Sequence, residues 1–141
     1  MASESSFPVT PRPVRQFMRG LAISAQGMAT QQKFLDIIAE NISNAQTTRT
    51  TEGGPYKRQV AVTVRDPRTG ELAVRVVEDQ QPGRLVHDPS HPDADEDGNV
   101  FLPNVDLNGE MVDLMLARRI HEANLTAFQA AKQMLRRAID I

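Results

Sequence analysis

Apolar residues recur every seven positions early in the chain, at Leu21, Met28, Leu35 and Ile42, flanked by Ala25, Ile38 and Ala39. With no proline between Val14 and Ala45, that spacing predicts one long helix. It should end near Asn44, because Ala45 to Gly53 carries four Thr and a Gly that favour irregular backbone. The period then changes. Tyr56, Val60, Val62 and Val64 alternate with Lys57, Gln59, Ala61 and Thr63, as in a half-buried strand. Asp66-Pro67-Arg68-Thr69-Gly70 supplies turn chemistry, and Leu72, Val74 and Val76 resume the alternation as the returning strand of a hairpin. Leu85-Val86 and Val100-Phe101-Leu102 predict shorter strands around His87 to Asp97, a solvated loop with two Pro and five acidic residues. The last stretch, Glu110 to Ile141, lacks both Pro and Gly and has Asp106 or Asn108 available as N-cap, so it predicts a second long helix.

The expected fold is therefore α+β, with long N- and C-terminal helices paired as an antiparallel coiled coil and a small central β-hairpin-rich unit. Residues 1–13, with three Pro and three Ser, form an arm too poor in apolar side chains to offset its ordering entropy. Residues 14–45 and 106–141 make the helical assembly domain, and 46–105 the β-rich one.

The second helix carries more apolar surface than one partner helix can cover. Leu114, Leu125, Phe128, Leu135 and Ile139 form one stripe. Leu116, Ile120, Ala123, Ala127, Ala130, Met134, Ala138 and Ile141 form another, facing nearly the opposite way. The intrachain seam is expected to use Leu21, Met28, Leu35, Ile42, Leu114, Leu125, Phe128 and Leu135. Burying Leu116, Ile120, Met134 and Ile141 would contribute roughly 6 to 12 kcal/mol at most, at about 1.5 to 3 kcal/mol per large side chain. Other chains are therefore expected to cover Leu116, Ile120, Ala123, Ala127, Met134 and Ile141. A contact joining two different patches head to tail would generate an open helical assembly.

Composition removes most other functions. The net charge of −2 implies no basic nucleic-acid face. The absence of Cys excludes disulfide frameworks, Cys-ligated zinc and thiol nucleophiles together. With no Trp and 4% aromatic residues, stacking platforms and aromatic pockets are poorly supplied. No apolar run approaches the length of a membrane span, and the start MASESSFPVTPRPVRQ lacks the apolar core of a cleaved signal peptide.

The sharpest chemical motif is Asp93-x-Asp95-x-Asp97-Gly98, the opening spacing of a calcium-binding EF-hand loop. It has Asn104 where the twelfth position needs a bidentate Glu, Phe101 at the ninth, and Pro89 and Pro92 in the place of an entering helix. A local turn is the better reading. His87 and His91 stand four apart, but Pro89 between them breaks the helix that would converge two imidazoles on a metal. His121 lies in the first stripe as a packed or rim histidine. Lys57-Arg58 and Arg136-Arg137 read as solvated basic pairs. Gly53-Gly54-Pro55 lacks the Lys and Ser or Thr of a phosphate loop, and no Gly-x-Ser-x-Gly elbow occurs. No enzyme, cofactor site or metal site emerges. A closed helical dimer adaptor and a weak calcium module stand as alternatives to an assembling subunit.

Three runs of residues, taken together, resemble a known family. Gly20-Leu21-Ala22-Ile23-Ser24-Ala25-Gln26-Gly27-Met28-Ala29, continuing through Gln31-Gln32-Lys33-Phe34-Leu35-Asp36 to Asn41-Ile42-Ser43-Asn44-Ala45, is similar to the N-terminal signature of the flagellar rod, hook and filament-junction proteins. Its Asn41-x-x-Asn44 spacing is the most recognisable part. Asn104-Val105-Asp106, Glu110-Met111-Val112 and Arg119-Ile120-His121-Glu122-Ala123-Asn124 resemble the matching C-terminal signature. Pro55-Tyr56-Lys57-Arg58, Val76-Val77-Glu78-Asp79 and His91-Pro92-Asp93-Ala94-Asp95 through Gly98 resemble the proximal-rod members in particular. The chain departs from that pattern at His121, usually Tyr, at Ser43, often Ala, and in the arm before Phe17.

The resemblance implies a non-enzymatic subunit of the flagellar drive shaft that transmits motor torque. It further implies export by the flagellar type III apparatus without a cleaved signal peptide, and a periplasmic location once assembled. The implied partners are other copies of the chain, other proximal-rod proteins, the rod base adaptor and distal-rod proteins, with no nucleic acid, small-molecule substrate or membrane insertion. The implied motif residues are Asn41, Asn44, Tyr56, Asn104, Asp106, Glu110 and Asn124.

Overall fold

A computed structural model describes residues 12–140. The expected arm lies outside the described residues, except that Arg12 and Pro13 open the first helix. Six elements follow in order: α1 (Arg12–Ser43), β1 (Gln59–Arg65), β2 (Leu72–Glu78), β3 (Arg84–His87), β4 (Asn99–Leu102) and α2 (Leu107–Ile139). The fold is α+β, as the change of period in the sequence implies.

α1 has 32 residues and spans about 48 Å at ~1.5 Å per residue. Pro13 sits in its first turn, where a missing backbone N–H removes no helical bond. The helix closes at Asn44, whose backbone N–H and side-chain Nδ2 both donate to the Glu40 carbonyl, at 3.0 and 2.9 Å. α2 has 33 residues. Asp106 is its N-cap and accepts from the Asn108 N–H at 3.2 Å. Glu110 in the first turn and Arg136 and Arg137 in the last complement the helix dipole.

The two long helices pack together and run antiparallel, since Asn41 near the end of α1 bonds Glu110 near the start of α2. On α2 the buried and half-buried positions include 110, 114, 117, 121, 128, 131 and 135, a spacing of threes and fours along one face.

The strands form two separate antiparallel pairs. β1 pairs β2 from Gln59↔Glu78 to Arg65↔Leu72, and β3 pairs β4 from Arg84↔Leu102 to His87↔Asn99. Asp66 organises the first turn by accepting the Arg68 N–H at 2.8 Å on its side chain and the Gly70 N–H at 2.8 Å on its carbonyl. Gly70 takes φ +72° there. The hairpin lies along α1. Its base is bonded to Asn41, and its far end reaches Gln26, whose Nε2 donates to the Leu72 carbonyl at 3.5 Å. At Gly83, just before β3, a Cβ would collide with the Leu102 carbonyl oxygen, so only glycine fits.

The apolar core is small. Ile37, Tyr56, Val100 and Ala117 are its buried members, while many large apolar side chains stay exposed on α2 and on the hairpin.

Candidate functional site

Among the described residues the most enclosed side chain is polar. Asn41, 1% exposed, and Glu110, 2% exposed, come from opposite ends of the sequence and meet where α1, β1 and α2 converge. Burying such groups is unfavourable unless each finds partners. Asn41 finds four. Its Nδ2 donates to the Gln59 carbonyl at 2.8 Å and to Glu110 Oε2 at 3.3 Å. Its Oδ1 accepts from the Gln59 N–H at 2.9 Å and from the Tyr56 hydroxyl at 2.9 Å. One primary amide thus uses both donors and both acceptor positions.

The bonds to Gln59 have a backbone logic. Asp79 N–H donates to the Arg58 carbonyl at 2.8 Å, which makes Arg58 and Asp79 a bonded cross-strand pair. The alternation of an antiparallel ladder then turns the N–H and C=O of Gln59 outward, away from β2. Asn41 occupies that free edge as a one-residue substitute for a third strand and fixes α1 to the root of the hairpin.

Glu110 is held from its other oxygen, since Arg58 Nε donates to Oε1 at 2.6 Å. A charge-assisted bond of that length suits a carboxylate removed from water. Arg58 also lies 3.7 Å from Asp79, and its backbone N–H donates to Asn104 Oδ1 at 2.9 Å. The Tyr56 phenol is pushed up from 10.0 to about 12, first by burial and then by the carboxylates of Glu40, Glu110 and Glu78. It therefore remains a neutral donor to Asn41. No step of bond-making chemistry is set up here; the arrangement holds three chain segments in one geometry.

The structure gathers most of the expected motif residues into this network. Asn41, Tyr56, Asn104 and Glu110 belong to it, and Asp106 caps the helix that delivers Glu110. Asn44 lies one turn beyond Asn41 and shapes the exit from α1, where its Oδ1 accepts from Thr47 Oγ1 at 3.1 Å. Asn124 is exposed on α2, about 21 Å along the helix from Glu110 at ~1.5 Å per residue, and takes no part.

The pairing of Lys57 with Arg58 as a solvated basic face needs correction. Lys57 is exposed and 3.6 Å from Glu78, but Arg58 points inward to Glu110. The signal was available, because 56, 58 and 60 share a parity in the alternating segment of the sequence that leads into β1.

Among the expected seam residues, Leu21, Met28, Leu35, Ile42, Leu114, Phe128 and Leu135 are half-buried, while Leu125 is exposed. Of the expected intersubunit residues, Leu116 is 57%, Ile120 40% and Met134 66% exposed. Ala123 and Ala127 are exposed as well, and Ile141 lies outside the described residues. His121 is half-buried, and its Nδ1 has no partner among the described residues.

The acidic loop is tied to protein groups. Asp93 accepts from Thr48 Oγ1 at 2.7 Å and pairs with Arg49 at 2.6 Å. Asp95 accepts the N–H groups of Asp97 and Asn99 at 3.0 and 2.8 Å. His91 Nδ1 accepts the Asp93 N–H at 3.0 Å, and His87 Nδ1 lies 3.2 Å from Asn99 Oδ1. The bonds of Asp95 and His91 are local turn bonds, whereas Thr48 and Arg49 tie the loop to the segment that follows α1.

Comparison with known proteins places these residues in a family. Residues 21–49 match the family described as Flagella basal body rod protein, and residues 97–141 match Flagellar basal body rod FlgEFG protein C-terminal. The flagellar basal-body rod protein FlgC of Borreliella burgdorferi is 36% identical over 141 residues, covering 84% of this chain and 93% of its own. FlgC of Salmonella typhimurium is 34% identical, with 84% and 92% covered, and FlgC of Bacillus subtilis is 33% identical, with 86% and 95% covered. Both matched segments contain residues of the buried network, Asn41 in the first and Asn104 and Glu110 in the second. The chain belongs to the FlgC family of flagellar basal-body rod proteins.

Proposed function

We propose that the chain, a structural and non-enzymatic subunit of the flagellar basal-body rod, builds the rod wall through its two long helices. They pair as an antiparallel coiled coil through Leu21, Met28, Leu35, Ile42, Leu114, Phe128 and Leu135. The spacing of threes and fours on α2 supports that reading. Residues 14–45 and 106–141 then form the assembly domain, and 46–105 a β-rich domain at its base. The helices line the inner tubular layer.

Leu116, Ile120, Ala123, Ala127, Met134 and Ile141 make the contacts between subunits. The observation that carries this is the exposure of Leu116, Ile120 and Met134 on one isolated chain. Covering what remains open on those three side chains would contribute roughly 2 to 5 kcal/mol per copy. Neighbours are further copies, other proximal-rod proteins, the rod base adaptor and distal-rod proteins. The chain reaches a periplasmic position by type III export, and the assembled rod transmits torque for motility.

The test is a pair of substitutions, Ile120→Asp and Met134→Asp. Each should leave the purified chain soluble with an unchanged circular dichroism spectrum while abolishing rod assembly and swimming, since an uncompensated carboxylate would be buried at every repeated contact. Cells that swim normally with both substitutions would refute the assignment of that surface.

A further inference from the structure

The exposed stripe needs a receiving surface, and the structure contains a suitable one. A groove of about 330 Å³ opens between α1, β1 and the N-terminal half of α2. Phe34, Ile37, Val60, Leu116, Ala117 and Ile120 form its apolar wall, with the exposed Asp113 at its rim. Replacing water there with an apolar side chain from a partner is favourable.

Charge along the helix pair points to the occupant. In the halves farthest from the buried network, residues 14–27 and 124–140, five cations (Arg15, Arg19, Lys132, Arg136, Arg137) face one acid, Asp140. In the halves beside the network, 28–43 and 106–123, six acids face three cations. The two ends of the helix pair are thus of opposite sign. The pattern repeats at single-residue scale: Met134, 66% exposed, has Arg137 three positions on, and Leu116 in the groove has Asp113 three positions back. Among the described residues neither Asp113 nor Arg137 joins an ion pair.

We propose that the basic end of one copy docks on the groove of a second copy of this chain, seating Met134 between Phe34, Leu116 and Ile120 and setting Arg137 against Asp113. The inference rests on the reading of the exposed stripe as an intersubunit surface. Donor and acceptor are different patches about 27 Å apart along α2, at ~1.5 Å per residue. Each docking therefore leaves a free end and a free groove, and the contact propagates. Opposite charge sets the register, and apolar contact holds it.

The chain has no Cys, which makes the test clean. Full-length chain carrying Leu116→Cys and Met134→Cys is expressed in place of the natural one, and isolated rods are mildly oxidised. The double variant should give a ladder of covalent products beyond dimer, and neither single variant should cross-link. A dimer and nothing larger, or no product from cells that still swim, overturns the docking, and swimming shows that the rod has assembled regardless. Should the cysteines themselves block assembly, reciprocal charge variants read the same contact. Asp113→Arg and Arg137→Asp should each lower the number of completed rods at least about fivefold, and the pair together should recover most of that loss. A pair no better than the worse single variant overturns the proposal. Swimming of the Ile120→Asp, Met134→Asp cells, by contrast, removes the intersubunit reading beneath it.

Discussion

Replacing Asn41 with Ala strips four hydrogen bonds from the most enclosed point of the chain. Two of the abandoned partners, the Tyr56 hydroxyl and Glu110 Oε2, are buried, and the other two belong to the part-buried backbone of Gln59. Leaving a buried polar group unpaired costs about 1 to 3 kcal/mol, and water recovers part of the loss at the strand edge. The substitution should therefore cost about 4 kcal/mol, a large share of the ~5 to 15 kcal/mol of an ordinary domain.

Asn44→Ala is the internal control, since the same residue type one turn away makes its bonds at the more accessible end of α1; its cost should be about 1 kcal/mol. Urea unfolding measures both. Tyr56 is the sole tyrosine and there is no tryptophan, so intrinsic emission reads the network directly. Asn41→Asp adds a test of sign. It places a second carboxylate against Glu110 in a buried site, which raises the folded-state carboxyl pKa, so stability should be greatest in acid and fall as pH rises toward neutrality. An Asn41→Ala variant as stable as Asn44→Ala, or an Asn41→Asp variant indifferent to pH, would refute the reasoning.

Arg58→Ala should cost about 3 to 5 kcal/mol by stranding the buried Glu110 carboxylate. Adding Glu110→Leu to that background should restore part of it, so equal and additive losses in a double-mutant cycle would show that the pair is uncoupled. The phenolate absorbance of Tyr56 should appear near pH 12 in the folded chain and near 10 in urea. Because the folded value is the higher, the associated stability is complete below pH 10 and disappears as pH climbs through about 12; a folded-state titration near 10 contradicts the burial. Gly83→Ala should destabilise by about 1 to 3 kcal/mol and loosen β3 from β4, and amide exchange at Val86 and Val100 unchanged from the parent chain would contradict the close approach to Leu102.

The elements were legible because each leaves a period in the sequence. The heptad from Leu21 to Ile42 gave α1, and the alternation through Val60, Val62 and Val64 gave β1. What holds the elements together was less visible. Asn41 and Glu110 stand 69 positions apart, and nothing in either one's local context indicates that their side chains meet. A basic dipeptide usually faces water, which hides the role of Arg58, whereas its parity with Tyr56 matches its inward position. Leu125 falls in the first apolar stripe by spacing yet is exposed, while the half-buried positions of α2 run through Ala117, His121 and Ala131, whose small or polar side chains carry little hydrophobic signal. Family resemblance supplies what periodicity does not, since Asn41, Tyr56, Asn104 and Glu110 stand in its motifs.

The order of synthesis gives the buried network a further meaning. A nascent chain acquires Asn41, Tyr56 and Arg58 long before it acquires Glu110, and the ribosome must add most of the remaining sequence before the carboxylate arrives. Until then Arg58 lacks its buried carboxylate and Asn41 one of its four partners, and nothing fastens the hairpin to a second helix. Any product truncated ahead of residue 110 is left with that joint open.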